Sequence, residues 1–92
     1  MPEEVGPITA YMITYDEQHQ EHVFPISSND LRSGDLLLLR KGERIPAPCK
    51  ILSGEILVEQ AGVSTTYRHP AVLPKGGLVS EGQAKAYVYI IL

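Results

Sequence analysis

Residues 31–54, LRSGDLLLLRKGERIPAPCKILSG, constrain the fold more than any other part of this 92-residue chain. The segment alternates short apolar runs with turns at Gly34 and Gly42. The four leucines between these turns leave no room for a helix, so they predict a β-strand that is buried on both faces. Pro46 then favours an extended chain on its way to the next apolar run.

The rest of the chain follows the same pattern of short β-prone runs separated by turn residues, which predicts an all-β domain. The strands are predicted at 8–15, 22–26, 35–40, 50–52, 55–59 and 83–92, with a turn at Ser53-Gly54. Residues 65–67 are a candidate short strand in an otherwise aperiodic stretch, and Gly76-Gly77 is a candidate flexible joint. Pro25 predicts an edge position for the second strand, because proline cannot donate to a ladder.

Capping side chains in residues 27–30, SSND, predict one short helical turn that continues through Leu31 and Arg32. Length and composition fit one domain, which we place at residues 8–92 behind a tail at residues 1–7.

Charge and cysteine usage exclude several function classes. The net charge of -3 argues against nucleic-acid binding. Residues 1–30 hold six acids and no Lys or Arg, whereas residues 31–92 carry a net +3. The single cysteine, Cys49, excludes an internal disulfide and fits a reducing, cytoplasmic location. The apolar runs are far shorter than the ~20 residues that span a bilayer, so we expect no direct membrane insertion.

Four elements in order make residues 8–86 resemble the actuator domain of P-type ATPases. They are the Gly-Asp turn with its leucine run (31–39), GERIPA (42–47), ILSGE (51–55) and GLVSEG (77–82). The resemblance implies a small distorted jelly roll, a double-stranded β-barrel of the actuator type. The residues expected to form its structural turns are Gly34, Asp35, Gly42, Pro46, Gly54, Gly77 and Gly82.

The chain departs from this family where its chemistry is expected. The family's Thr-Gly-Glu-Ser loop falls here on Ser64, Thr65, Thr66 and Tyr67, which include no Gly and no Glu. In the family, that Glu positions the water that hydrolyses an aspartyl phosphate on a separate domain, a task that needs a carboxylate. The Thr66 hydroxyl cannot act as a base at neutral pH. Pro48 likewise stands where the family has an acid.

The resemblance therefore implies an actuator-like domain that is not catalytic by itself. It would act by docking on other domains of a parent ATP-driven cation pump, at the cytoplasmic face of a membrane. Two alternatives remain open on the sequence: a non-catalytic module that binds or regulates a protein partner, and a small β-barrel of the secretion-ring type. Members of the latter class share a Leu-x-x-Gly-Asp-x-Leu turn and dimerise by exchanging strands.

Several polar residues are candidates for binding. Tyr67, Arg68, His69 and Lys75 offer hydrogen-bond donors to an anion or to an acidic partner surface. A Cys49–His69 pair is a weaker candidate for a nucleophile or a soft metal. The His-x-x-His at residues 19–22 falls in a predicted turn, where an exposed polar role is favoured. We expect no metal and no cofactor in this chain.

Overall fold

The structure is a computed structural model, and it describes residues 8–89. Its strands are β1 Thr9–Tyr15, β2 Glu21–Ser27, β3 Leu36–Arg40, β4 Cys49–Gln60, β5 Val63–Arg68, β6 Val72–Leu73 and β7 Leu78–Val88. All pairings are antiparallel, and the strand order is β2-β1-β3-β7-β4-β5, with β6 beside the start of β4. The path of paired strands does not close on itself within the described residues. The predicted all-β class is confirmed, in the form of one open sheet.

The leucine run forms the centre of this sheet, as its sequence predicts. β3 lies between β1 and β7. Leu37 and Leu39 belong to the main hydrophobic core, where they pair with Ala86 and Ala84 of β7. Leu38 is also buried, and because side chains alternate along a strand it lies on the opposite face. Burial on both faces is therefore confirmed.

The first hairpin supplies one edge of the sheet. β2 is a terminal strand, so the edge position predicted from Pro25 is confirmed. The helical turn exists as a 3-10 helix at Ser28–Asp30 that is capped by the Ser27 side chain. Its predicted continuation through Leu31 and Arg32 is wrong, because Leu31 is already extended, with φ -75° and ψ 147°. Leu31 instead joins the core.

The predicted turn at Ser53-Gly54 is also wrong, because β4 runs through it without a break. The β4–β7 register shifts between Ile51 and Ser53, which is a bulge rather than a chain reversal. Gly54 has a φ of +89°, and a Cβ there would lie 2.8 Å from the Ala84 Cα. Glycine is thus required at this position by both conformation and close contact.

Gly82 plays the corresponding part on β7. Gly82 was expected to form a turn, but it lies inside β7 with a φ of +89°. A Cβ there would lie 3.2 Å from the Ile56 Cα and closer still to the Glu55 carbonyl oxygen. Gly54 and Gly82 together let the backbones of β4 and β7 approach each other closely.

The last strand is longer at its start than predicted, since β7 begins at Leu78 instead of residue 83. The predicted residues 90–92 lie outside the described part of the chain. Alternation is confirmed over the described part, with Ala84, Ala86 and Val88 buried. Gly77 is not a flexible joint, because it is buried and a Cβ there would lie 2.5 Å from the Val58 Cγ1.

The turns that flank β3 occur where expected. Gly34 and Gly42 have φ values of 96° and 91°, and a Cβ at either position would meet nothing within 4 Å. Conformation alone therefore explains these two glycines. Asp35 closes the first turn by accepting the Arg32 backbone N–H at 2.8 Å. Pro46 is buried in the segment between β3 and β4 and is not part of a turn.

Candidate functional site

The four residues that the resemblance assigns to the family's catalytic loop lie inside β5. Ser64, Thr65, Thr66 and Tyr67 pair with consecutive β4 residues, so the short strand predicted at residues 65–67 is confirmed and is longer than expected. β4 and β5 are joined by a two-residue turn, Ala61 and Gly62, with φ values of 53° and 79°. Two successive positive φ values characterise the tightest hairpin turns. No projecting loop therefore exists at this place.

The side chains of this segment offer hydroxyl groups but no carboxylate. Ser64, Thr65 and Thr66 are exposed, whereas Tyr67 is half-buried and packs against the core. Two acidic residues of other strands, Glu55 of β4 and Glu81 of β7, line one groove with Thr66. Both belong to strands that are paired within the sheet, and both are exposed.

The predicted donor cluster is divided between two places. Arg68 and His69 lie together at the end of β5, where Arg68 pairs with Glu55. Lys75 lies at the other end of the strand, where its carbonyl oxygen accepts the Gln60 Nε2 at 3.4 Å. Glu55 and Gln60 are five positions apart on β4, which is about 17 Å along a strand. A single small anion cannot contact both ends.

Arg44, which no sequence motif singles out, lies near Lys75. Its Nη1 donates to the Gly76 carbonyl oxygen at 3.0 Å, and it lines a groove of about 230 Å³ with Glu59 and the Ala61–Gly62 turn. The isolated bridge between Arg44 and Leu78 holds it there. No local pattern reveals that pairing, because the two residues are far apart in the sequence.

The Cys49–His69 pair cannot supply a nucleophile. Cys49 is fully buried, between Leu73 of β6 and Val88 of β7. Burial raises the pKa of its thiol to about 12, so the thiolate is absent at neutral pH. His69 is exposed in the turn after β5.

The His-x-x-His segment forms a local polar network at the β1–β2 turn. His22 Nε2 lies 2.8 Å from Asp16 Oδ2, and this hydrogen bond lowers the pKa of Asp16. Backbone N–H groups of Gln18 and Gln20 donate to the same carboxylate at 2.8 and 2.9 Å. Between residues 8 and 89, no three His, Cys, Asp or Glu side chains are grouped to hold a metal ion. That part of the chain also contains no helix long and apolar enough to cross a membrane.

Comparisons with known proteins agree on a family and a fold. A family model described as the P-type ATPase actuator domain matches residues 4–90. The structure is similar to that of a zinc-transporting PIB-type ATPase in the E2.Pi state, with a TM-score of 0.75 and 20% identity over 92% of this chain. It is also similar to a zinc-transporting PIB-type ATPase in the E2P state, with a TM-score of 0.73 and 18% identity over 98% of this chain.

The chain spans 14% of the length of the matched chain in each of these two structures. No protein with a curated description matches the sequence. At these identities the structural likeness shows the fold alone, but the family model matches nearly the whole chain. The chain belongs to the P-type ATPase actuator-domain family.

Proposed function

We propose that this chain serves as the actuator domain of an ATP-driven cation pump and carries no dephosphorylation chemistry of its own. Its family membership supports the first part of this proposal. The two similar structures named above are of zinc-transporting ATPases, which supports a cation as the cargo. The same membership argues against the secretion-ring alternative.

The observation that carries the second part is the strand at the place of the catalytic loop. An actuator loop has to bring a carboxylate to a phosphate on another domain and hold water in line for attack. Here Thr65 and Thr66 have hydroxyl side chains, and their backbones are paired with Val58 and Leu57. The segment lacks the functional group, and its backbone is held in the sheet.

Docking as a rigid body is supported by the way in which the sheet is built. β4 and β7 are the two longest strands and pair along nearly their whole length. One core cluster contains side chains from β1, β3, β4, β6 and β7. Such a unit transmits a rotation without bending, which is what a domain that acts by position needs. The partners we propose are the other domains of the parent pump, at the cytoplasmic face of its membrane.

Dephosphorylation of an isolated partner domain tests this proposal. The phosphorylation domain of a zinc-transporting P-type ATPase is labelled with ³²P at its aspartate, and the decay of the acyl phosphate is followed with and without this chain. That pump's own actuator domain is the positive control. We expect this chain to bind the labelled domain and to leave the decay at its spontaneous rate.

Two results would count against the proposal, and they concern different parts of it. Acceleration comparable with that of the pump's own actuator domain would refute the absence of dephosphorylation chemistry. Failure to bind the phosphorylation domain, in conditions where the control domain binds, would refute docking and favour a module that serves another protein partner.

A further inference from the structure

β5 is an open edge of the sheet and lacks the features that protect the opposite edge. The strand order ends in β2 on one side and in β5 on the other. β2 contains Pro25, which has no N–H to offer to another strand. β5 reads VSTTYR, with no proline and no lysine, and its pairing with β4 contains no bulge. Edges of this kind accept another strand readily.

The backbone of β5 shows which of its groups are free. In an antiparallel pair, every second residue turns its N–H and C=O away from the partner strand. The Arg68 carbonyl oxygen accepts the Ala71 N–H at 2.8 Å, so Arg68 belongs to the outward set. Ser64 and Thr66 share this orientation by alternation. Within residues 8–89, β5 pairs with no strand other than β4, which leaves these two residues free to bond to an added strand.

The side chains of β5 define what an added strand needs. Val63, Thr65 and Tyr67 lie on one face, where Tyr67 packs on the core and Val63 is 62% exposed. Residues of an added strand that face this row should be apolar or β-branched. Ser64, Thr66 and Arg68 form the other row, which calls for polar partners.

The Arg68 side chain determines which charged group an added strand should place beside it. Residues 61–80 contain no Asp or Glu, although the chain as a whole carries a net charge of -3. They contain Arg68 and Lys75, but Lys75 lies at the opposite end of β5 from Arg68, and Glu55 and Glu59 of β4 lie on the same face as Arg68. Glu55 is the cross-strand neighbour of Arg68, yet no ion pair joins Arg68 to any carboxylate of residues 8–89. The Arg68 guanidinium therefore has N–H groups that are available to a carboxylate of an added strand.

We propose that the β5 edge binds an extended acidic segment of a partner protein by strand addition. The segment alternates apolar and polar residues and places a carboxylate beside Arg68. Backbone bonds to Ser64 and Thr66 supply the attachment, and the alternating side chains supply the specificity. This interaction goes beyond the proposed pump function and does not depend on it.

An NMR titration of the ¹⁵N-labelled full chain tests the inference. The probe is the blocked peptide acetyl-Thr-Val-Glu-Val-Thr-Val-Glu-amide, and its twin with lysine in place of each glutamate is the charge control. We expect shifts concentrated on the amides of Ser64 and Thr66 and weaker binding of the lysine peptide. Arg68→Gln should remove the difference between the two peptides.

Two variants of Thr66 distinguish the contribution of its backbone N–H to peptide binding from that of its side chain. Thr66→Pro removes an outward N–H that the β4 ladder does not use, so it should weaken peptide binding about tenfold. Thr66→Val keeps that N–H and should leave the affinity within about twofold. Circular dichroism shows whether each variant is folded. If Thr66→Pro is unfolded, the comparison of the two peptides with Arg68→Gln tests the inference instead.

Four outcomes would overturn the inference. The first is no shift at β5 with millimolar peptide. The second is equal binding of the two peptides by the unmodified chain. The third is full affinity in folded Thr66→Pro. The fourth is a dimer in analytical ultracentrifugation whose β5 amides are already protected, since the edge would then belong to a second copy of the chain.

Discussion

Replacing Gly54 by alanine tests how β4 and β7 approach each other. Gly54 has a φ of +89°, and an added Cβ would lie 2.8 Å from the Ala84 Cα and closer still to the Gln83 carbonyl oxygen. Both contacts are with backbone, so no side chain can rotate away. Gly42 has almost the same φ, +91°, but a Cβ there would meet nothing within 4 Å. Gly42→Ala is therefore a matched control for Gly54→Ala.

The difference between the two variants isolates the steric term. A left-handed backbone conformation costs an alanine roughly 1–2 kcal/mol, and this cost applies to both variants. Overpacking against a fixed neighbour adds roughly 1–3 kcal/mol, and this cost applies to Gly54→Ala alone. We expect Gly42→Ala to lower the free energy of unfolding by about 1–2 kcal/mol and Gly54→Ala by about 2–5 kcal/mol. The total free energy of unfolding of a domain of this size is roughly 5–14 kcal/mol.

Urea unfolding of the chain and both variants, followed by circular dichroism, measures these values. The m-values should stay the same, because the surface exposed on unfolding is unchanged. Equal destabilisation by the two substitutions, within about 0.5 kcal/mol, would refute the close approach of β4 to β7 at Gly54.

Three further predictions concern other parts of the fold. Ala61 has a φ of 53°, so Ala61→Asn should raise the free energy of unfolding by about 0.5–1 kcal/mol; a lower urea midpoint would contradict this conformation. Burial raises the pKa of Cys49 to about 12, so a thiol reagent at pH 8 should react with Cys49 only as fast as the chain unfolds. The free energy of unfolding should also fall as the pH rises above about 9, because the thiol then ionises in the unfolded chain but not in the folded one. Immediate labelling of the folded chain would show that Cys49 is accessible. The hydrogen bond and the charge of Lys85 lower the pKa of Glu21 in the folded chain. The pair therefore stabilises the fold at pH values above 4.5, the ordinary pKa, and this stabilisation is lost as the pH falls through the lowered pKa of the folded chain. Glu21→Gln should therefore flatten the acid limb of the stability profile, and an unchanged limb would argue against the pair.

The elements that follow from local chemistry could be predicted from the sequence. The burial of β3 follows from four consecutive leucines between two turn glycines, and the edge position of β2 follows from Pro25. The alternation of Ala84, Ala86 and Val88 identifies the core face of β7. Each of these signals depends on residues close together in the chain.

The predictions that failed depend on distant neighbours. Gly54 resembles a turn glycine in the sequence, but its role is set by the approach of Ala84 from another strand. The register of β5 depends on the Ala61–Gly62 turn, in which alanine takes a conformation that its own preferences disfavour. The strand predicted at residues 65–67 is shorter than β5, because this hydroxyl-rich segment has no hydrophobic alternation that shows its full length.

The candidate site likewise combines features that nearby residues predict with features that depend on distant residues. The absence of a carboxylate at residues 64–67 is visible in the sequence. The strand at residues 64–67, the separation of Lys75 from Arg68 and the position of Arg44 all depend on pairing between strands. The roles of Tyr67, Arg68, His69 and Lys75 in binding stay predictions.

Native-state hydrogen exchange at β5 tests the central claim most directly, because that claim requires residues 64–67 to form a paired strand. The amides of Thr65 and Tyr67 point towards β4 by the alternation set out above, whereas those of Ser64 and Thr66 point away. We expect Thr65 and Tyr67 to exchange more slowly than Ser64 and Thr66 by an order of magnitude or more. Fast exchange at all four amides would show that the segment is a free loop and would contradict the account.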